Sequence, residues 1–100
     1  MKEITVTDLA ALDRPTVLDV REQAEYDSVH AEGVRLIPLG QLAQRLDEVP
    51  RTEPVYVVCH LGGRSAQATG FLAAQGIDAI NVVGGMDARQ RAGLPVAGRA

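Results

Sequence analysis

Short apolar runs alternate with helix-spaced segments along the whole of this 100-residue chain. Ile4 to Val6 is predicted as a first short strand. Thr7 is a candidate N-cap for a helix over Asp8 to Leu12, closed by the Asp13-Arg14-Pro15 breaker. Thr16 to Val20 reads as a buried strand, Glu22 to Asp27 as a short helix, and Val34 to Ile37 as a strand ending at Pro38. Leu39, Leu42, Ala43, Leu46 and Val49 recur at helical spacing, with Pro50 as the stop. Val55 to Val58 is apolar on both faces and rich in β-branched residues, as in a parallel strand covered by helices on each side.

Ser65 to Gln75 carries the clearest helical pattern. Gly76 stands at its C′ position, where Ile77 can pack back on Leu72. Ala66, Thr69, Gly70 and Ala73 make a small-residue face expected to lie close on the sheet. Ala79 to Val83 is the last strand, and Gly84-Gly85 turns the chain into a final short helix. Strand and helix thus alternate about five times, which predicts an α/β fold with a mainly parallel sheet. No repeat, low-complexity tract or linker divides the chain, so residues 1–100 are expected to form one domain.

Composition narrows the function. Hydrophobic residues make up 46% of the chain, enough for one core, which argues against disorder. The net charge is −3, Lys2 is the only lysine, and the arginines are scattered rather than striped. Nucleic acid is therefore excluded as a partner, since phosphate binding needs a basic surplus. No apolar run approaches the ~20 residues of a membrane helix, and Met1-Lys2-Glu3-Ile4 does not begin a secretory leader. A lone cysteine cannot close an internal disulfide, so the cytoplasm is the expected compartment.

That cysteine carries the chemistry. In open α/β sheets ligands sit at the carboxyl ends of the strands, and the strand Val55–Val58 runs directly into Cys59. The stretch Cys59-His60-Leu61-Gly62-Gly63-Arg64-Ser65 passes from strand through loop into helix. Gly62 and Gly63 permit positive φ, so that successive N–H groups can turn inward as a nest. The helix beginning at Ser65 adds unpaired N–H groups and the positive end of its dipole, and Arg64 adds a cation. Each of these favours negative charge, and the first they meet is the Cys59 thiolate. A depressed thiol pKa and a nucleophilic sulfur are expected. A plain buried thiol at a strand end is the alternative, and the glycines, Arg64 and the helix start count against it.

Cys59-x-x-Gly62-x-Arg64-Ser65 resembles the active-site loop of the rhodanese domain family, and the likeness extends over nearly the whole chain. Leu18-Asp19-Val20-Arg21 with Glu25-Tyr26 is similar to an early signature of that family. His30-Ala31-Glu32-Gly33-Val34 and Ile37-Pro38-Leu39 are similar to the next segments, and Gly84-Gly85-Met86-Asp87-Ala88 with Gly93-Leu94-Pro95-Val96 to the last. Two positions depart: Glu32 stands where the family usually has proline, and Arg89 where it usually has tryptophan. Both lie outside the loop.

The resemblance implies a five-stranded, mainly parallel rhodanese-like sheet flanked by helices on both faces, with Cys59 as sulfur acceptor. It implies a sulfurtransferase that loads Cys59 to a persulfide from a donor such as thiosulfate. The outer sulfur then passes to a thiophilic acceptor, cyanide or a thiol. Its partners are that small donor and acceptor, with a protein persulfide as a further class. No metal and no organic cofactor is implied. His60, Leu61, Gly62, Gly63, Arg64 and Ser65 would bind the substrate.

Two rivals remain. A persulfide carrier or binding module would share the loop but turn over little. A cysteine-dependent phosphatase needs five residues between cysteine and arginine, and only four separate Cys59 from Arg64. Asp19 and Arg21 reach the same edge, but a carboxylate beside a needed thiolate would raise its pKa. A supporting role is expected for them, Asp19 accepting loop or helix N–H groups and Arg21 pairing an acid such as Glu25. His60 is either a cation at the mouth or a solvent-facing ring. His30 is expected to bond backbone near the turn at Gly33, while Phe71 and Met86 read as core.

Overall fold

A computed structural model describes residues 1–98 of the chain. The elements in order are β1 (Glu3–Ile4), α1 (Val6–Ala10), β2 (Thr16–Asp19), α2 (Gln23–Ser28) and β3 (Arg35–Leu36). Two 3₁₀ turns follow, Leu39–Gln41 and Leu46–Glu48, and then β4 (Val55–Val58), α3 (Gly63–Ala74), β5 (Ala79–Val82) and α4 (Gly85–Arg91). The five strands form one sheet in the order β1-β5-β4-β2-β3, and every pairing is parallel. β4 lies at the centre, with Leu18 opposite Val57 on one side and Tyr56 opposite Ile80 on the other.

Two cores sandwich this sheet. On one face Leu18, Val20, Val55 and Val57 pack against Ala68 and Leu72 of α3 and against Leu42 and Val49 of the 3₁₀ segment. On the other face Val58 and Val82 pack against Val6 and Leu9 of α1 and Met86 of α4, with Val17 and Tyr56 partly buried beside them. β4 is apolar on both faces because both faces are covered. Met86 is core as expected, and Phe71 packs at the margin of the first cluster. Among the described residues no helix is long and apolar enough to cross a membrane.

Several local expectations are corrected. The first helix begins at Val6 and is capped by Thr5, whose hydroxyl accepts from the Asp8 N–H; Thr7 lies inside it. Residues 39–49 do not form one helix. Gly40 disfavours helix near its start, and the apolar spacing of three and four residues is met by short turns that still bury Leu42 and Val49. On α3 the buried positions are Ser65, Ala68, Thr69 and Leu72, while Gly70 and Ala73 face solvent. The helix closes as expected: Ile77 N–H donates to the Leu72 carbonyl and Gly76 N–H to that of Ala73.

Arg21 has a different partner from the one expected. Its guanidinium grips the Asp19 carboxylate, at 2.8 Å from Nη2 and 3.0 and 3.1 Å from Nε, and the Arg21 N–H donates to the same carboxylate at 3.0 Å. The remaining guanidinium protons reach the carbonyls of Val29 at 2.7 Å and Glu25 at 3.4 Å. Two residues apart, the pair needs little chain entropy to close, whereas the Glu25 carboxylate is engaged elsewhere. Asp19 is 0% exposed and Arg21 2%, and among the described residues each charge has the other as its one ionic partner. Asp19→Ala strands a buried guanidinium and is expected to cost roughly 3–5 kcal/mol of stability. Urea denaturation of the two proteins measures the loss.

Candidate active site

Side chains alternate along a strand, so Val55, Val57 and then Cys59 fall on the α3 side of the sheet. The chain leaves β4 at Cys59 and must reverse into α3 within four residues. Gly62 makes that reversal at φ +119°, a conformation open to glycine. Only Gly62 does so; Gly63, for which positive φ was also expected, is already the first residue of the helix.

The turn aims the first amides of α3 at the sulfur. Gly62 N–H donates to Cys59 Sγ at 3.0 Å, and the Ser65 hydroxyl lies 3.3 Å from it. The Cys59 thiol donates to Ser65 Oγ, whose own proton goes to the Gly62 carbonyl at 3.1 Å. On ionisation that hydroxyl can turn its proton to the thiolate. Burial pushes the Cys59 thiol up, but the Ser65 hydroxyl and the N–H groups of Ser65, Gly62 and Leu61 outweigh it. The thiol titrates below its ordinary value. Cys59 itself is 1% exposed, so it forms the floor of the loop rather than its rim.

A loop whose N–H groups turn inward sends its carbonyls outward. α4 receives them: Met86 N–H donates to the Cys59 carbonyl at 2.8 Å and Asp87 N–H to that of His60 at 3.0 Å. Contact is close enough that a Cβ on Gly85 would stand 2.3 Å from the Cys59 carbonyl oxygen. Glycine at 85 is therefore a steric requirement of the loop, a function that the Gly84-Gly85 pair alone did not reveal.

Arg64 does not point alone at the sulfur. Its guanidinium forms two hydrogen bonds to the Glu25 carboxylate, at 2.7 and 2.8 Å. Glu25 in turn caps α2 by accepting from the Glu22 N–H at 3.1 Å. The Arg64 guanidinium drives the Glu25 carboxyl down to about 2, against partial burial and with help from the Glu22 N–H. Glu25 in turn raises the pKa of Arg64 above its ordinary value, and the charge of Cys59 adds to this. Reading the sequence assigned Glu25 to Arg21 and so missed this link between α2 and the loop.

The remaining candidates are easily placed. His60 is exposed and contributes its backbone carbonyl to α4; no side-chain contact fixes its ring among the described residues. Leu61 projects outward at 64% exposure. Asp19 and Arg21 are sealed beneath the edge. His30 stays structural: Nδ1 lies 2.7 Å from the Tyr26 carbonyl and the ring stacks on Tyr26 at 3.9 Å.

The chain is similar to known proteins over most of its length. The family model described as Rhodanese-like domain matches residues 5–92. A Bacillus subtilis (strain 168) protein named as a candidate sulfur carrier is 44% identical over 71 residues. Those residues are 70% of this chain but only 38% of that relative. A thiosulfate sulfurtransferase of Actinobacillus pleuropneumoniae serotype 3 (strain JL03) is 35% identical over 82 residues, 81% of this chain and 76% of the relative. The crystal structure of a rhodanese-related protein from Thermoplasma volcanium superposes with a TM-score of 0.92 at 32% identity. The match covers 97% of this chain and 98% of that one.

Two outcomes test the geometry. Ser65→Ala removes the hydroxyl from the sulfur and is expected to raise the Cys59 pKa. The pH profile of its alkylation by iodoacetamide should move to higher pH. Glu25, with its pKa lowered, contributes stability that is complete above its ordinary 4.5 and lost as pH falls toward about 2. A carbon NMR titration should place the Glu25 carboxyl near about 2 and return it toward 4.5 in Arg64→Ala.

Proposed function

This chain belongs to the rhodanese-like domain family, and we propose that it is a sulfurtransferase in which Cys59 carries a sulfane sulfur as a persulfide. One observation carries the reading. The Gly62 N–H and the Ser65 hydroxyl converge on a single buried sulfur at 3.0 and 3.3 Å. Donors placed there stabilise an anionic sulfur in a largely dry site, where electrostatic interactions count for more than in water.

The proposed reaction has two displacements. The Cys59 thiolate attacks the outer sulfur of a donor such as thiosulfate; an S–S bond forms, the donor S–S bond breaks, and sulfite leaves with the electron pair. An acceptor, cyanide or a thiolate, then attacks the outer sulfur of the Cys59 persulfide. The Cys59–sulfur bond breaks and the pair returns to the Cys59 thiolate. The same N–H groups and hydroxyl serve the anion at the start and at the end of this cycle. Arg64, tied to Glu25, is proposed to hold the loop and to supply fixed positive charge beside the sulfur. His60, Leu61 and Gly63 complete the proposed binding loop, and Asp19 and Arg21 support it. Cys59 is the only cysteine, so the acceptor must come from outside the chain. The whole chain is proposed to act as a single rhodanese-like domain in the cytoplasm.

The name of the Bacillus subtilis relative favours a second reading, a carrier that loads and docks but turns over slowly. Sulfite release and thiocyanate formation separate the two. Incubation with thiosulfate is expected to add one sulfur atom to the intact protein by mass spectrometry, and Cys59→Ser to abolish it. Steady thiocyanate production then supports the enzyme, and a single stoichiometric burst the carrier. If no sulfane donor loads Cys59, both readings fall.

A further inference from the structure

An apolar hollow lies behind the loop, on the face of the sheet away from α3. It encloses about 480 Å³, within the ~300–1,000 Å³ span of small-molecule pockets. Val6 and Leu9 of α1, Val58 and Val82 of the sheet and Met86 of α4 form its walls. Three charged side chains line it: Arg14, Glu32 and Arg89. Glu32 and Arg89 are the two positions at which the sequence departs from the family pattern. They lie far apart in the chain, yet both face this one cavity.

The charges are unbalanced. Two guanidinium groups meet a single carboxylate, and among the described residues none of the three forms a salt bridge. Arg89 donates Nε to the Pro95 carbonyl at 2.8 Å, and no other partner of its guanidinium is present among the described residues. Burial lowers its pKa with no carboxylate to oppose the effect. A half-buried cation that forms no ion pair is costly, and an anion brought to it recovers that cost. Arg14 holds a left-handed backbone at φ +49° without being glycine, and it is exposed at the rim.

We propose that this cavity binds an apolar monoanion, of the class of medium-chain carboxylates, with its chain among the valines and its head between Arg14 and Arg89. The net positive charge of the lining selects one negative charge, and the walls around it are mainly apolar. Glu32, facing the same space, opposes a second negative charge.

Isothermal titration of the full chain with octanoate, octanol and octylammonium tests it. Octanoate is expected to bind at least about tenfold more tightly than octanol, the worth of one charge-assisted contact, and octylammonium more weakly still. Arg14→Gln, at an exposed position, should weaken octanoate several-fold and leave octanol unchanged. Arg89→Trp should fill the cavity and abolish binding while Cys59 still loads with sulfur. Octanol binding as tightly as octanoate, no binding of octanoate at millimolar concentration, or indifference to Arg14→Gln would each overturn the proposal. If Arg89→Trp does not fold, Arg14→Gln decides the matter alone.

Discussion

The structure turns on a matching of unsatisfied backbone groups. A loop that points its N–H groups at a buried sulfur leaves its own carbonyls without partners. The first turn of a helix leaves N–H groups without partners. Here two helix starts answer the loop. The start of α3 supplies N–H groups to Cys59 Sγ, and the start of α4 supplies Met86 and Asp87 N–H groups to the carbonyls of Cys59 and His60. The sheet fixes where this happens, because β4 and β5 are neighbours whose carboxyl ends deliver both helices to the same edge.

Charge follows the same economy. Two ion pairs hold the edge, and each uses the acid nearest in space. Asp19 and Arg21 close a short buried pair that also ties down the carbonyls of Glu25 and Val29. Glu25 is thereby held with its carboxylate facing Arg64, which joins α2 to the loop. The arginine of the loop is thus as much a strut as a source of positive field. The sulfur owes its lowered pKa to hydrogen bonds from Ser65, Gly62 and Leu61, among them contacts at 3.0 and 3.3 Å.

The opposite face of the sheet has a separate character. There α1 and α4 leave room between them, and the space is lined by valine and methionine with arginine at its margin. Val58 belongs to this face and Cys59 to the other, although they are adjacent in the chain. Alternation along the strand separates the two compartments by the thickness of one backbone.

Much of this was legible in the sequence. Apolar β-branched runs marked the strands, and the run Val55–Val58 announced a strand covered on both faces. Strand, glycine and helix start around Cys59 marked the candidate loop, because each is a local backbone requirement written in residue type. The class of fold and the family likeness follow from the order of such segments. What the sequence did not disclose depends on neighbours distant in the chain. Whether residues 39–49 coil as a helix or as two turns depended on what they pack against. Which acid Arg21 and Arg64 each take, and why Gly85 bears no side chain, are set where α2, β4 and α4 converge. The place of Cys59 at the end of a strand, before a glycine turn and a helix start, is a local property. The hydrogen bonds that hold its loop in shape are a tertiary one, since the groups that make them lie as far as Asp87 from the cysteine they serve.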